Sequence, residues 1–132
     1  MTVVITFGTY DLFHIGHHNI LKRAKEHGDT LIVGISTDNL NYKKKQKYPV
    51  YSQDERKTII NSVKYVDDVF FEESLEQKRE YILKYKADIL IMGDDWKDKF
   101  NEFNDICQVI YLPRTENISS TKIKHDIKHD LC

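Results

Sequence analysis

Short apolar runs at residues 3–7, 30–36, 66–71, 89–92 and 108–112 punctuate the chain, each built from Val, Ile, Leu, Phe or Tyr. The first, second and fourth are apolar almost throughout, the pattern of strands buried on both faces rather than on one. Between the runs, apolar positions recur every three to four residues. Ile20, Leu21 and Ala24 mark one helical stripe within 16–27, and Ile59, Ile60 and Val63 another within 53–64. Segments 75–85 and the more polar 119–129 carry the same spacing, and 97–105 reads as a short helix. Ser52 and Ser74, each followed closely by acidic residues, are the expected N-caps of their helices. Strand and helix alternating along the whole chain predict an α/β, Rossmann-like single domain over residues 1–132: a five-stranded parallel sheet with helices on both faces.

A chain of 132 residues can bury a core of its own, since domains of this size remove roughly two-thirds of their unfolded surface from water. Twenty Lys and Arg against 21 Asp and Glu leave a formal charge of −1, so bulk attraction to nucleic acid or to an anionic membrane is not expected. No apolar stretch approaches the ~20 residues of a membrane span. The opening residues enter a strand pattern with no basic segment and apolar signal core ahead of it. Two cysteines, Cys107 and Cys132, make no disulfide framework, and the expected location is the reducing cytoplasm.

Ligands of an open parallel sheet bind beyond the carboxyl ends of its strands, so the residues that follow each apolar run matter most. After the first run comes Gly8-Thr9-Tyr10-Asp11-Leu12-Phe13-His14-Ile15-Gly16-His17. Histidines three residues apart at a helix start share one side of the helix, beside unpaired backbone N–H groups that suit a phosphate. Gly16 removes a side chain where a nucleotide would approach the backbone. For an isolated pair of this kind the plain alternative is that one His caps the helix and the other is exposed. A zinc site is a further alternative and lacks an evident third ligand. Neither G-x-G-x-x-G nor G-x-x-x-x-G-K-[ST] occurs, which argues against a dinucleotide oxidoreductase or a P-loop kinase.

After the fifth run, Arg114 and the hydroxyls of Thr115, Ser119, Ser120 and Thr121 gather at a second helix start, suited to a polyphosphate. An ordinary Ser cap with a solvated Arg explains that segment alone equally well. The lysines of 43–47, read as a loop beyond the second strand, are either a solvated surface or a cationic lid, to which Arg56 and Lys78 could add charge. Asp11, Asp38, Asp94 and Asp95 stand at strand ends, where carboxylates serve turns and caps or hold Mg²⁺ and orient lysines.

These residues carry a resemblance. ITFGTYDLFHIGH at 5–17, GDTLIVGISTDNLN at 28–41, IMGDDWKDKF at 91–100 and VIYLPRTENISSTKI at 109–123 resemble the cytidylyltransferase family of the HxGH nucleotidyltransferases. The likeness is strongest to the bacterial branch whose acceptor is sn-glycerol 3-phosphate. It implies transfer of CMP from CTP to that phosphoalcohol, giving CDP-glycerol and pyrophosphate for a teichoic acid or capsule polymer. The same transfer to another polyol phosphate or to phosphoethanolamine, and adenylyl transfer to a sugar phosphate, are the alternatives. The resemblance assigns catalysis to His14, His17, Lys45 and Arg114, and CTP binding to these with Thr9, Tyr10, Asp95, Thr115, Ser119, Ser120 and Thr121. Lys47 and Lys78 become the candidates for the phosphoalcohol. It further implies Mg²⁺ travelling with CTP, with no protein ligand assigned, and a homodimer. The chain departs from the family pattern at Asn117, Lys64, Leu75 and an extra residue within 45–56. Asn117 falls where a glycine is usual, and Asn tolerates left-handed geometry; the other three are expected near the acceptor pocket.

Overall fold

The computed structural model describes residues 1–116 and 118–130. Asn117, expected to preserve a turn, and Cys132 lie outside the described residues. Five parallel strands form one sheet, β1 (Val3–Gly8), β2 (Thr30–Ser36), β3 (Asp68–Glu72), β4 (Ile89–Gly93) and β5 (Gln108–Leu112), in the order β3-β2-β1-β4-β5. The helices are α1 (Ile15–Lys25), α2 (Asp38–Lys45), α3 (Gln53–Asn61), α4 (Lys78–Lys84) and α5 (Ser120–Asp130), with two 3-10 turns at Asp94–Trp96 and Asn101–Asp105.

The side-chain period of a strand divides the core in two. Val4, Leu31, Val33, Ile35, Val69, Ile89 and Ile91 face one side and pack with Leu21 and Ala24 of α1 and Ile60 of α3. Their neighbours Ile5, Phe7, Ile32, Phe70, Leu90 and Met92 face the other, against Ile82 of α4 and Phe103. Both faces are covered, which is why the central runs lack polar alternation. Val4 pairs with Leu31 on one side and Ile89 on the other, placing β1 at the centre. From β1 the chain moves outward through β2 and β3, then returns to lay β4 on the opposite side of β1. That reversal opens a crevice beyond β1 and β4.

Several boundaries differ from the sequence pattern for local reasons. The strand expected at 66–71 starts at Asp68 because the Val66 N–H closes a turn on the Val63 carbonyl, while the Asp67 carboxylate accepts from the Leu31 N–H. The helix expected to reach 64 ends at Asn61, where the Ser62 hydroxyl donates to the Ile59 carbonyl. Ser52 caps α3 as expected, with Glu55 closing a reciprocal capping box. Ser74 caps nothing: it bonds Glu76, and α4 begins only after Gln77. Segment 97–105 forms no α-helix and supplies the second 3-10 turn instead.

The larger correction concerns 43–47. Lys43, Lys44 and Lys45 are the last turn of α2, not a loop, and only Gln46 and Lys47 lie beyond it. Thr37 starts that helix, its hydroxyl accepting from the Leu40 N–H at 3.1 Å. Three lysines at the carboxyl end suit the helix dipole, and Gln46 stops the helix in the left-handed conformation at φ 59°. Among the described residues no helix is long and apolar enough to cross a membrane.

Candidate active site

A cleft of about 1040 Å³ opens at the carboxyl edge of the sheet, across the reversal between β1 and β4. That is the upper end of the range for small-molecule sites, roughly 1,000 Å³. The loop leading from β1 to α1 forms one wall, and it is strained: Tyr10 and Leu12 both adopt positive φ, 56° and 50°. Non-glycine residues hold such angles only where their surroundings over-determine them. Asp11 between them supplies that constraint by accepting from the N–H groups of Val50, Tyr51 and Leu12 at 2.7, 2.9 and 3.1 Å.

His14 and His17 come together at the start of α1, rings stacked with centroids 3.7 Å apart. Both cap the helix, by reciprocal bonds. His14 Nδ1 accepts from the Gly16 N–H at 3.0 Å, and His17 Nδ1 accepts from the His14 N–H at 3.2 Å. A ring nitrogen that accepts carries no proton, so each neutral imidazole holds its proton on Nε2. Burial, and then the charge of Arg114, hold His14 below its ordinary value. Burial followed by His14 pushes His17 down to about 3, with Asp11 opposing. At neutral pH the pair is therefore uncharged and offers fixed Nε2–H donors. Gly16 is required here, because a Cβ would stand 2.8 Å from His14 Cε1. Among the described residues no group of three His, Cys, Asp or Glu is placed to share a metal, so the zinc alternative has no third ligand there.

Two residues expected at the nucleotide, Thr9 and Tyr10, line the cleft beside this pair. The Tyr10 ring is buried in the core, edge-on to His17 at 5.3 Å. The Thr9 hydroxyl is engaged with Ser36 and with Asn41 Oδ1, at 3.0 and 2.9 Å. Arg56 adds no charge to a lid. It is wholly buried, donating to the Thr9 and Ser36 carbonyls at 2.9 and 2.8 Å, to the Tyr51 carbonyl at 3.1 Å and to Asp38 at 2.7 Å. One guanidinium thus ties the loop after β1, the end of β2, and the starts of α2 and α3. Asp11 and Asp38 serve as the turn and cap residues that their positions allowed.

The opposite wall comes from the β4 and β5 ends. Arg114 lines the cleft and pairs with Asp95 at 3.4 Å, both well exposed. The Thr115 hydroxyl accepts from Asn19 at 2.9 Å, joining this wall to α1. The hydroxyls of 119–121 divide their duties: Ser119 caps α5 by accepting from the Lys122 N–H, Ser120 donates to the Asp11 carbonyl, and Thr121 lines the cleft. Lys124, not anticipated, also lines it, 3.5 Å from Asp11.

Lys45 and Lys47 line the cleft from the α2 side, and so does Lys44, which belonged to the 43–47 run without being given a site role of its own. The signal was available: Lys44 lies one helical turn beyond the buried Leu40 and Asn41 and shares their face. Desolvation lowers the Lys44 pKa, with Glu72 opposing and Lys45, Lys78 and Arg56 adding to the fall. Lys78 reaches the cleft only from within its floor, buried and paired with Glu72 at 2.6 Å. Leu75 borders the cleft, as expected of an acceptor-side position, together with Tyr48 and Pro49 from 45–56. Lys64 does not: its ammonium lies over the Tyr65 ring, away from the cleft lining. Cys107 is a free, partly buried thiol whose pKa burial raises, and it takes no part in the cleft.

Two helix starts stand beside the switch point of a parallel sheet, with neutral imidazole donors and a cationic rim, an arrangement chemically suited to phosphates. A family model described as Cytidylyltransferase-like matches residues 5–126, and the chain belongs to that family. Glycerol-3-phosphate cytidylyltransferase of Bacillus subtilis (strain 168) is 50% identical over 127 residues, 96% of this chain and 98% of that protein. The Staphylococcus aureus (strain NCTC 8325 / PS 47) protein of the same name is 47% identical, covering 96% of each chain. In fold, the lipopolysaccharide core biosynthesis protein from Thermoplasma volcanium GSS1 superposes with a TM-score of 0.76 at 24% identity, over 88% of this chain and 99% of that one.

Proposed function

We propose that the protein transfers CMP from CTP to sn-glycerol 3-phosphate, releasing pyrophosphate and forming CDP-glycerol. The observation that carries this reading is the near full-length match to the Bacillus subtilis enzyme. The chemistry suits the cleft. The attacking oxygen belongs to a phosphate already ionised at neutral pH, so no general base is needed. The demand is for in-line positioning and for donors where charge builds on the α-phosphate and the departing pyrophosphate. The Nε2–H groups of His14 and His17 supply such donors without adding a charge that would hold the product. Lys44, Lys45, Arg114 and Thr121 surround the triphosphate, the free N–H groups of α5 receive its pyrophosphate end, and Lys47 meets the acceptor phosphate. Mg²⁺ would travel with CTP, with no protein ligand assigned, and would supply charge neutralisation on the triphosphate. The active form is taken to be a cytoplasmic homodimer, and the product to feed a teichoic acid or capsule polymer.

Pyrophosphate release with Mg²⁺, crossing CTP and ATP against a panel of phosphoalcohols, tests the reading. Turnover with CTP and sn-glycerol 3-phosphate alone is expected. Turnover with ATP refutes the cytidine assignment, and turnover with CTP and a different alcohol alone refutes the acceptor.

A further inference from the structure

Arg114 enters the cleft as a long side chain whose ion pair with Asp95 spans 3.4 Å, with both groups exposed. Exposed pairs of that kind contribute little, so the pair does not by itself hold the guanidinium in place. Its backbone is held instead. On one side of Arg114 the Pro113 carbonyl accepts from Arg23 Nη1 at 3.3 Å, and on the other the Thr115 hydroxyl accepts from Asn19 Nδ2 at 2.9 Å. His18 Nδ1 stands 3.2 Å from Asn19 Oδ1, the acceptor end of that amide, which leaves Nδ2 for Thr115. Asn19 and Arg23 are one turn apart and share a face of α1, the helix whose start carries His14 and His17.

We propose that Asn19 and Arg23 clamp the two neighbours of Arg114 to α1, and that this clamp holds the guanidinium in register with the histidine pair during transfer. Both are positioning residues, and the kinetic part of the proposal rests on the CMP-transfer reading of the site. One helix then fixes donors on both walls of the cleft, the imidazoles directly and the guanidinium through its flanking bonds. A long side chain loses rotamer freedom when it grips a phosphate, and a main chain anchored on both flanks has less left to lose. A misplacement of about 1 Å at a reacting centre can cost on the order of 10²-fold in rate, so a loosened clamp should be visible in turnover. Neither bond is part of the core. Arg23 is exposed and Asn19 half-buried, while Leu21 and Ala24 make the buried face of α1, and alanine suits a helix at both positions.

A double-mutant cycle with Arg114 gives the kinetic test. Asn19→Ala/Arg23→Ala should lower kcat/KM for CTP by about tenfold or more in the otherwise unaltered protein, and by less than about twofold once Arg114→Ala is present. No fall in the first background overturns the proposal. An equal fall in both also overturns it, since a role in folding or elsewhere in the cleft would not depend on Arg114. Where Arg114→Ala turns over too slowly to measure, the Kd for CTP, by calorimetry, is read through the same cycle with the same outcomes. A second measurement needs no turnover. Backbone NMR order parameters of Arg114 and Thr115 should fall by about 0.1 or more in Asn19→Ala/Arg23→Ala, with that of His17 unchanged. Unchanged values at Arg114 and Thr115 overturn the clamp, and so does an equal fall at His17, which would mark a general loosening of α1. Silence of the unaltered protein with every acceptor would refute the proposed function and the kinetic part with it, while the order parameters still decide the clamp.

Discussion

Replacing His14 by Asn separates the two duties of that imidazole. As N-cap, Nδ1 accepts from the Gly16 N–H at 3.0 Å. The Asn Oδ1 has nearly the same reach, and Asn is among the best N-caps, so His14→Asn should unfold within about 0.5 kcal/mol of the parent. His14→Ala leaves that N–H without its acceptor and should cost about 1 kcal/mol. The second duty belongs to Nε2–H, on the far side of the ring, where the shorter amide has no atom. One lost preorganised donor costs roughly 10²–10³ in kcat, about 2.7–4 kcal/mol. Stacking on His17 disappears in both variants and cancels in the comparison. Urea unfolding and pyrophosphate release at saturating substrates, on the same preparations, read the two duties apart. His14→Asn that keeps more than about a tenth of the parent rate refutes the donor role, and His14→Asn as unstable as His14→Ala refutes the capping account.

Acidification gives a signed prediction. His17 titrates near 3 in the folded chain against an ordinary 6.5, so between those values the unfolded chain binds more protons. Its contribution is full above pH 6.5 and falls as the pH drops toward 3, by at most roughly 1.4 kcal/mol per unit. Urea midpoints should fall less steeply between pH 6 and 4.5 in His17→Gln than in the parent; identical slopes count against the neutral pair. Gly16→Ala should lower kcat by about tenfold or more, because the new Cβ displaces the His14 ring it would otherwise meet at 2.8 Å; a full rate refutes the requirement for glycine. Arg56→Ala should destabilise by about 3–5 kcal/mol in thermal or urea unfolding, leaving buried carbonyls and Asp38 without their donor. Arg56→Lys should recover less than half of that loss, since one ammonium cannot serve four acceptors, and full recovery would refute the stitching role.

The sheet was legible because its central strands β1, β2 and β4 are buried on both faces, and 30–36 and 108–112 coincide with the observed strands. Strand order, by contrast, is no property of any single run; it follows from how β4 returns beside β1. α2 escaped notice because a short helix of Asp, Asn, Tyr and Lys shows no apolar stripe. Its evidence lay in the Thr37 cap and in Leu40 and Asn41, one turn before Lys44. The histidine pair was legible as two imidazoles on one side of a helix start, and both line the cleft. That both rings act as caps, and so have fixed tautomers, depends on bonds 3.0–3.2 Å long that only the folded helix start creates. Arg56 was misjudged in the same way, and the pairing of Lys78 with Glu72 at the cleft floor was equally hidden. A cation in a sequence is assumed to meet solvent or ligand, and nothing local signals that Thr9, Ser36 and Asp38, or Glu72, will enclose it.

The two faces of the sheet explain how one cleft can serve two phosphate-bearing substrates. On the face covered by α1 and α3, the histidine pair presents uncharged donors, and the cations that line the cleft stand at the rim on α2, after β5 and on α5. On the other face the floor is aromatic, and its one cation is neutralised by Glu72. Charge is therefore concentrated at the rim of the cleft and cancelled on its floor. A cleft that was cationic throughout would bind CTP, pyrophosphate and acceptor phosphate alike, and uniform binding does not accelerate transfer. For the proposed transfer, confining the fixed positive charge to the rim would leave the reacting phosphorus facing neutral Nε2–H donors, whose interaction strengthens only as negative charge accumulates in the transition state.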